Sequence, residues 1–332
     1  MAIDLLSIEP HKVSKNLSGY ITYIYGEAKI GKTSLAAQAE DCLLIATERG
    51  YNAISGIAPV DVPDWRTMRQ VYNDLKRKEV QARFKTIIVD TVDLAAAYCT
   101  KYICNQKEVE DLGDLGWGKG YKLMRSEFES VFNGLAQLGY SIIFISHVNR
   151  VVDEKTGVVT IGPTLSPSRV NDIIRNMADI YGWAHYSDDE NSTGDRILTL
   201  RSDSDDISCG CRFKYIPAEI PFSYNDLVKA LKFAVEEEEK HNGKDAVTDE
   251  SNIPVYEQED VSVLLGEFKE ILAQLKKNVT KERFNSKWAP FIGKLIVKNL
   301  GEGKKIYDAT NDQYEQVGRI IDDLKEEMGN GI

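Results

Sequence analysis

Apolar residues in the first 235 positions come as short unbroken runs separated by longer mixed stretches. The runs cover 20–25, 42–46, 86–89 and 141–145, and between them 64–80 and 121–138 carry the wider spacing of helices. Strands apolar on both faces and separated by helices predict a mostly parallel central sheet covered on each side, an α/β fold. Two later runs, 179–184 and 196–201, stand closer together and alternate more, which predicts an antiparallel extension. From Glu236 the pattern gives out. The stretch to Asp260 has few apolar residues and opens with four consecutive glutamates, as an exposed linker does. Beyond it, apolar residues at 261, 264, 265, 268, 271, 272 and 275, and again at 314, 317, 320, 321, 324 and 328, each trace one helical face. The expected organisation is a core over 1–235, an acidic linker over 236–260 and a small helical domain over 261–332.

Composition narrows this picture only a little. At 332 residues and 42% hydrophobic content the chain can bury a sizeable core. No apolar run approaches the ~20 residues of a membrane span. Met1-Ala2-Ile3-Asp4 shows no basic stretch followed by an apolar one. The five cysteines at 42, 99, 104, 209 and 211 are an odd number, which favours a reducing cytoplasm over a disulfide framework. The net charge is −11, but residues 236–260 alone hold ten acids and two bases, so the total says little about any binding face.

The chemistry concentrates at 26–34. Gly26-Glu27-Ala28-Lys29-Ile30-Gly31-Lys32-Thr33 is a complete G-x-x-x-x-G-K-[ST] phosphate loop, followed by Ser34. Its glycines let successive N–H groups point inward at phosphate oxygens. Lys32 supplies a charge for the β- and γ-phosphates, and the Thr33 hydroxyl suits Mg²⁺. A β-branched and aromatic strand precedes the loop and a run of helix formers, 34–40, follows it, as a phosphate site requires. ATP with Mg²⁺ is the expected ligand pair. Three further strands end in polar residues where ligands gather in such sheets. Asp90 ends the run 86–89 and is the expected second Mg²⁺ ligand. Glu48 ends the run 42–46 and can deprotonate an attacking water. It is otherwise a solvated acid or a partner of Arg49. His147 follows 141–145 and can donate towards a γ-phosphate. Its plainer role is a strand-end histidine bonded to a carbonyl.

Together Gly26–Thr33, Thr47-Glu48, Asp90-Thr91 and Ser146-His147 resemble the RecA-type ATPase core, and within it the phage-encoded RecA-like proteins of single-strand annealing and recombination. The resemblance covers about 15–235. It implies a RecA-like P-loop core, Glu48 as catalytic base, Asp90 on Mg²⁺, and His147, where RecA has glutamine, coupling the γ-phosphate to DNA. It further implies action on single-stranded DNA, self-association as a ring or filament, and a bacterial host cytoplasm. Arg212-Phe213-Lys214 resembles the paired basic finger of related hexameric helicases, which implies that Arg212 and Lys214 complete a neighbour's site. The loop 148–170, with Arg150, Lys155 and Arg169, matches the position that contacts DNA in RecA.

Two more regions fit nucleic acid. Trp117, inside the glycine-rich stretch 113–120, is either a base-stacking residue or ordinary packing. Between Lys276 and Lys305 lie nine Lys/Arg and two acids with Phe284, Trp288 and Phe291 interleaved. That composition suits single strands. Equally, the aromatics form the helical domain's own core, leaving it to dock a single-strand-binding or replication protein.

Overall fold

The computed structural model describes residues 10–165, 168–187, 194–243, 247–250 and 261–331. They form two compact units, 1–256 and 257–332. The strands of the first unit are β1 (Val13–Ser14), β2 (Ile21–Gly26), β3 (Cys42–Ala46), β4 (Ala58–Asp61), β5 (Thr86–Asp90), β6 (Ser141–Val152), β7 (Val159–Pro163), β8 (Ile180–Tyr186), β9 (Arg196–Thr199), β10 (Gly210–Cys211), β11 (Glu219–Pro221) and β12 (Val247–Thr248). Its helices are α1 (Lys32–Ala36), α2 (Trp65–Leu75), α3 (Lys78–Arg83), α4 (Val92–Lys107), α5 (Lys119–Gln137), α6 (Ser168–Met177) and α7 (Tyr224–Asn242).

The main sheet runs β11-β9-β8-β2-β6-β5-β3-β4, and the six strands from β8 to β4 are mutually parallel. The phosphate-loop strand β2 lies between β6 and β8, and the sheet is mostly parallel as expected. Alternation along β2 divides the core. Tyr23 and Tyr25 pack with α2, α4, α5 and α6 on one face, where Trp65 stacks on Phe128 at 5.7 Å. Ile24 faces the other side with Leu35 and the α7 residues Leu227, Leu231 and Val235.

Four expectations change. The run at 179–184 becomes β8, parallel to β2 rather than antiparallel, because α6 supplies a crossover before it. The antiparallel extension begins one strand later, at β9. The stretch 148–170 is not a loop: β6 continues to Val152 and pairs with β7 as a hairpin, Val148 opposite Pro163 and Val152 opposite Val159. Ser166, Pro167 and the Arg169 side chain lie outside the described residues. The helix after the phosphate loop has five residues and ends before Asp41, whose φ of 46° is left-handed. Finally, Glu236–Glu239 sit within α7. Lys15 bonds Glu239 at 3.0 Å, and Lys240 and Asn242 reach back to Glu237 and Glu238. Beyond α7, Val247 and Thr248 pair with β1, whereas 244–246 and 251–260 of the expected linker lie outside the described residues.

The second unit holds α8 (Val261–Asn278), α9 (Lys281–Arg283), α10 (Ala289–Leu300) and α11 (Tyr314–Gly331). Its core is its own: Phe268, Leu275, Trp288, Val317, Ile320 and Leu324 are all buried. The aromatics interleaved with lysines therefore face inward. Trp288 is wholly buried, with Phe284 and Phe291 half-buried beside it, because they recur at helical spacing. Wholly buried, Trp288 offers no face for a base to stack on.

Candidate nucleotide site

The phosphate loop follows β2, and its backbone is shaped by what surrounds it. A Cβ on Gly26 would lie 2.2 Å from the Ala184 carbonyl oxygen of β8, so the first glycine is required by strand packing. Lys29 and Gly31 have φ of 65° and 104°, left-handed values that turn the loop; at Gly31 only glycine takes this without strain. Ile30 is buried and anchors the turn in the core. Ala28, Lys29, Gly31, Lys32, Thr33 and Ser34 line a cleft of about 430 Å³ with Glu48, Arg49, Asp90 and His147.

Lys32 is buried, and its Nζ donates to the carbonyls of Gly26 and Glu27, each at 2.8 Å. Burial lowers its pKa below the usual lysine value, opposed by Asp90, Asp93, Glu48 and Glu27. Thr33 Oγ1 donates to Asp90 Oδ2 at 2.6 Å. Asp90 is buried, which raises its pKa, while the Thr33 hydrogen bond pulls it down. A hydroxyl and a carboxylate brought together in this way are hard oxygen donors of the kind Mg²⁺ prefers, and burial gives the carboxylate reason to hold a cation. The residues present fit Mg²⁺.

Glu48 lies 3.5 Å from His147 Nε2, both about two-fifths exposed. Its position is fixed from behind. Thr47 Oγ1 donates to the Thr91 carbonyl at 2.9 Å and accepts from the Thr91 amide at 2.8 Å, tying the tips of β3 and β5 together.

Three more residues complete the arrangement: Asp93 and Arg196, not singled out from sequence, and Arg150, expected there to contact DNA rather than the phosphate loop. Asp93, in the first turn of α4, accepts from Ser146 Oγ at 2.8 Å and the His147 amide at 3.1 Å, and burial raises its pKa. An acid three residues after Asp90 was the available signal. Arg150 of β6 pairs with the Glu27 carboxylate of the phosphate loop. Arg196 of β9 donates from Nη1 to the Ile30 carbonyl at 3.0 Å. Nothing local ties either arginine to the loop, since each partner is over a hundred residues away.

Arg212 and Lys214 are not brought to this site within the chain. The strand β10 ends at Cys211, one residue before Arg212. Arg212 pairs with Asp179 at 3.2 Å. Asp179 precedes β8 and accepts from the Ile21 amide at 2.8 Å, so the pair sits at the amino ends of the parallel strands, opposite the phosphate loop. Lys214 lies over the Tyr215 ring at 5.1 Å. Trp117 is fully exposed, with positive φ between Gly116 and Gly118. The cysteines make no disulfide; Cys99 and Cys104 are buried, and burial pushes Cys209 and Cys211 up to about 11. Among the described residues no helix is long and apolar enough to cross a membrane.

A family model described as an AAA domain matches residues 18–206. The SPbeta prophage-derived uncharacterized protein YorG of Bacillus subtilis (strain 168) is 29% identical over 98% of this chain and 99% of its own length. Similar solved structures include a KaiC-like protein of the hyperthermophilic archaeon Pyrococcus horikoshii, 17% identical over 57% of this chain and 81% of that one with a TM-score of 0.34. Another is the RadB recombinase, 16% identical over 57% and 83%, with a TM-score of 0.35.

Proposed function

Since the chain belongs to the AAA domain family, we propose that it is a Mg²⁺-dependent ATPase that couples nucleotide state to a grip on single-stranded DNA in phage-type recombination, by annealing or strand exchange. The observation that carries the ATPase reading is the convergence of Lys32, the Thr33–Asp90 contact and Glu48 on one cleft. Lys32 and the loop amides of 27–33 hold the phosphates. Thr33 and Asp90 hold Mg²⁺, which when bound supplies charge stabilisation to the transferring phosphoryl group. Glu48 takes a proton from the attacking water, and Thr47 keeps it aimed. His147 donates to the terminal phosphate.

The DNA reading draws support from β6. It carries His147 at the site and runs on through Arg150, paired with Glu27, into the exposed β6–β7 hairpin. A change at the phosphates that moves Glu27 or His147 moves the hairpin with it. Trp117 is a second exposed contact for a base. The full-length likeness to a prophage protein fits a phage setting. Arg212 and Lys214 are proposed to serve a neighbouring copy in a ring or filament, and the second unit, with its lysines outward, to recruit a single-strand-binding or replication protein.

The test is the ATPase rate with and without single-stranded DNA, for wild type and Glu48→Gln. Glu48→Gln is expected to lower kcat by roughly 10²- to 10⁴-fold, and DNA to raise the wild-type rate. Undiminished turnover in Glu48→Gln removes that residue as the base. Absent stimulation together with absent DNA binding in ATP sinks the recombination reading, and duplex unwinding replaces it with a helicase or loader motor.

A further inference from the structure

The buried part of β6 ends at His147, and its tip is held from three sides. Gly26 of β2 stands opposite His147 in parallel register. The ladder to β5 stops sooner, its last pair being Asp90 and Ile145. There α4 takes over. Asp93, in its first turn, gives one carboxylate oxygen to Ser146 Oγ at 2.8 Å and the other to the His147 amide at 3.1 Å. On the far side the His147 carbonyl accepts from the Thr164 amide at 2.8 Å, just past β7. The cleft lining reaches His147 and Glu48 but not Asp93. Ser146 is wholly buried, so the Asp93 contact lies behind the cleft wall. Only three residues separate Asp93 from Asp90, so one strand-to-helix turn carries both a cleft carboxylate and the clamp on His147.

We propose that Asp93 is the positioning residue of the nucleotide site: its carboxylate fixes the tip of β6 so that the His147 imidazole stands beside Glu48 and donates to the terminal phosphate. This rests on reading His147 as that donor. Displacing a reacting group by about 1 Å costs about a hundredfold in rate. The His147 ring is only 3.5 Å from Glu48, and its backbone is set by Asp93 on one side and Thr164 on the other. A first-turn acid also favours its own helix through the dipole. That simpler role involves nothing on β6, whereas both Asp93 oxygens bond to β6 groups. The two roles separate in kinetics, because only positioning needs His147 to be present.

The experiment measures kcat and KM for ATP in the full chain, with calorimetry of ATP binding, for Asp93→Ala, His147→Ala and the double variant. Asp93→Ala is expected to lower kcat about tenfold to a hundredfold and to leave KM and the calorimetric affinity within about twofold. In the His147→Ala background the same substitution is expected to change kcat less than about threefold, since residues acting as a unit are not additive. Wild-type kcat in Asp93→Ala, a loss confined to KM, or an undiminished second loss on top of His147→Ala overturns the proposal and leaves His147 as donor. Wild-type turnover in His147→Ala overturns the donor reading and the proposal with it. Asp93→Asn keeps the side chain's shape and one acceptor, and carries the same cycle if the alanine variant does not fold. A loss in Asp93→Asn that vanishes without His147 is the expected result, and one that persists overturns the assignment.

Discussion

Asp179 and Arg212 pair on the opposite edge of the sheet from the phosphate loop, and that pair gives Arg212 a role inside its own chain. Burial pushes the Asp179 carboxyl above the usual carboxylate range, against the Ile21 amide and the Arg212 charge. The folded chain thus binds this proton more tightly than the unfolded one. Its contribution to stability is full below about pH 4, the unfolded value, and is lost as pH rises through the raised value. Removing Arg212 removes a group that offsets this loss. Arg212→Ala is therefore expected to lower the thermal midpoint at pH 7 more than at pH 4, by a loss of stability of no more than about 1 kcal/mol for so exposed a cation. An unaltered midpoint with lost ATPase turnover would mark Arg212 as acting only on a neighbour, and unaltered turnover would remove it as a finger. Lys32 offers a contrasting case. It is buried among the loop carbonyls, so Lys32→Ala loses two hydrogen bonds and also the desolvation of a cation. Calorimetry is expected to show ATP binding abolished while the thermal midpoint stays near wild type. A collapsed midpoint would make the lysine structural.

The β6–β7 hairpin is held at its base and turn rather than by a core. Val151, Val152, Val158 and Val159 are each at least two-fifths exposed. The turn between the strands is organised by Asp153, which accepts from the Lys155 and Thr156 amides at 2.8 and 3.0 Å. With Arg150 tied to Glu27, the phosphate loop is the hairpin's anchor. Hydrogen exchange of Arg150→Ala is expected to show lost protection over 148–152 and 159–163, with the sheet strands β2 and β5 unchanged. Unchanged hairpin protection would mean that the ion pair transmits nothing. Trp117 gives a direct optical probe, since the other three tryptophans are buried. Its emission is expected to be quenched by single-stranded DNA, and Trp117→Ala to leave the thermal midpoint unchanged. An unquenched signal ends the stacking idea. The hairpin also shows where sequence reading fails. β2, β3, β5 and β6 were legible because strands buried on both faces are unbroken apolar runs. A hairpin whose valines face water has no such signature, and α6, hidden behind it, misdirected the reading of β8. α7 ran on through Glu236–Glu239 because Lys15, Lys240 and Asn242 engage that run. Of the site, the loop and the acids at strand tips were visible as motif and pattern. Arg196 was not, and Arg150 was marked only as a DNA contact, because tertiary contact alone gives them their partners in the loop.

At the scale of the molecule, the two units carry separate cores, and their stabilities are expected to be separable. Trp288 is wholly buried among Phe268, Leu275 and Ile320. Trp288→Ala is expected to cost about 3–5 kcal/mol and to unfold the second unit in circular dichroism while ATP binding by the first persists. Loss of ATP binding would show the units to be one cooperative body.

Gly26 has a genetic consequence. The atom that excludes a side chain there is the carbonyl oxygen of Ala184, which every amino acid carries. A selection for revertants of Gly26→Ala should therefore find no suppressor by exchange at position 184, because no allele of that codon removes the obstacle. Gly134 is the opposite case. A Cβ there would meet the Tyr72 hydroxyl at 2.0 Å and two of its ring carbons at 2.7 and 3.0 Å, all side-chain atoms that Tyr72→Ala deletes. Epistasis between 134 and 72, and its absence between 26 and 184, would be the inherited trace of a strand packed against bare backbone.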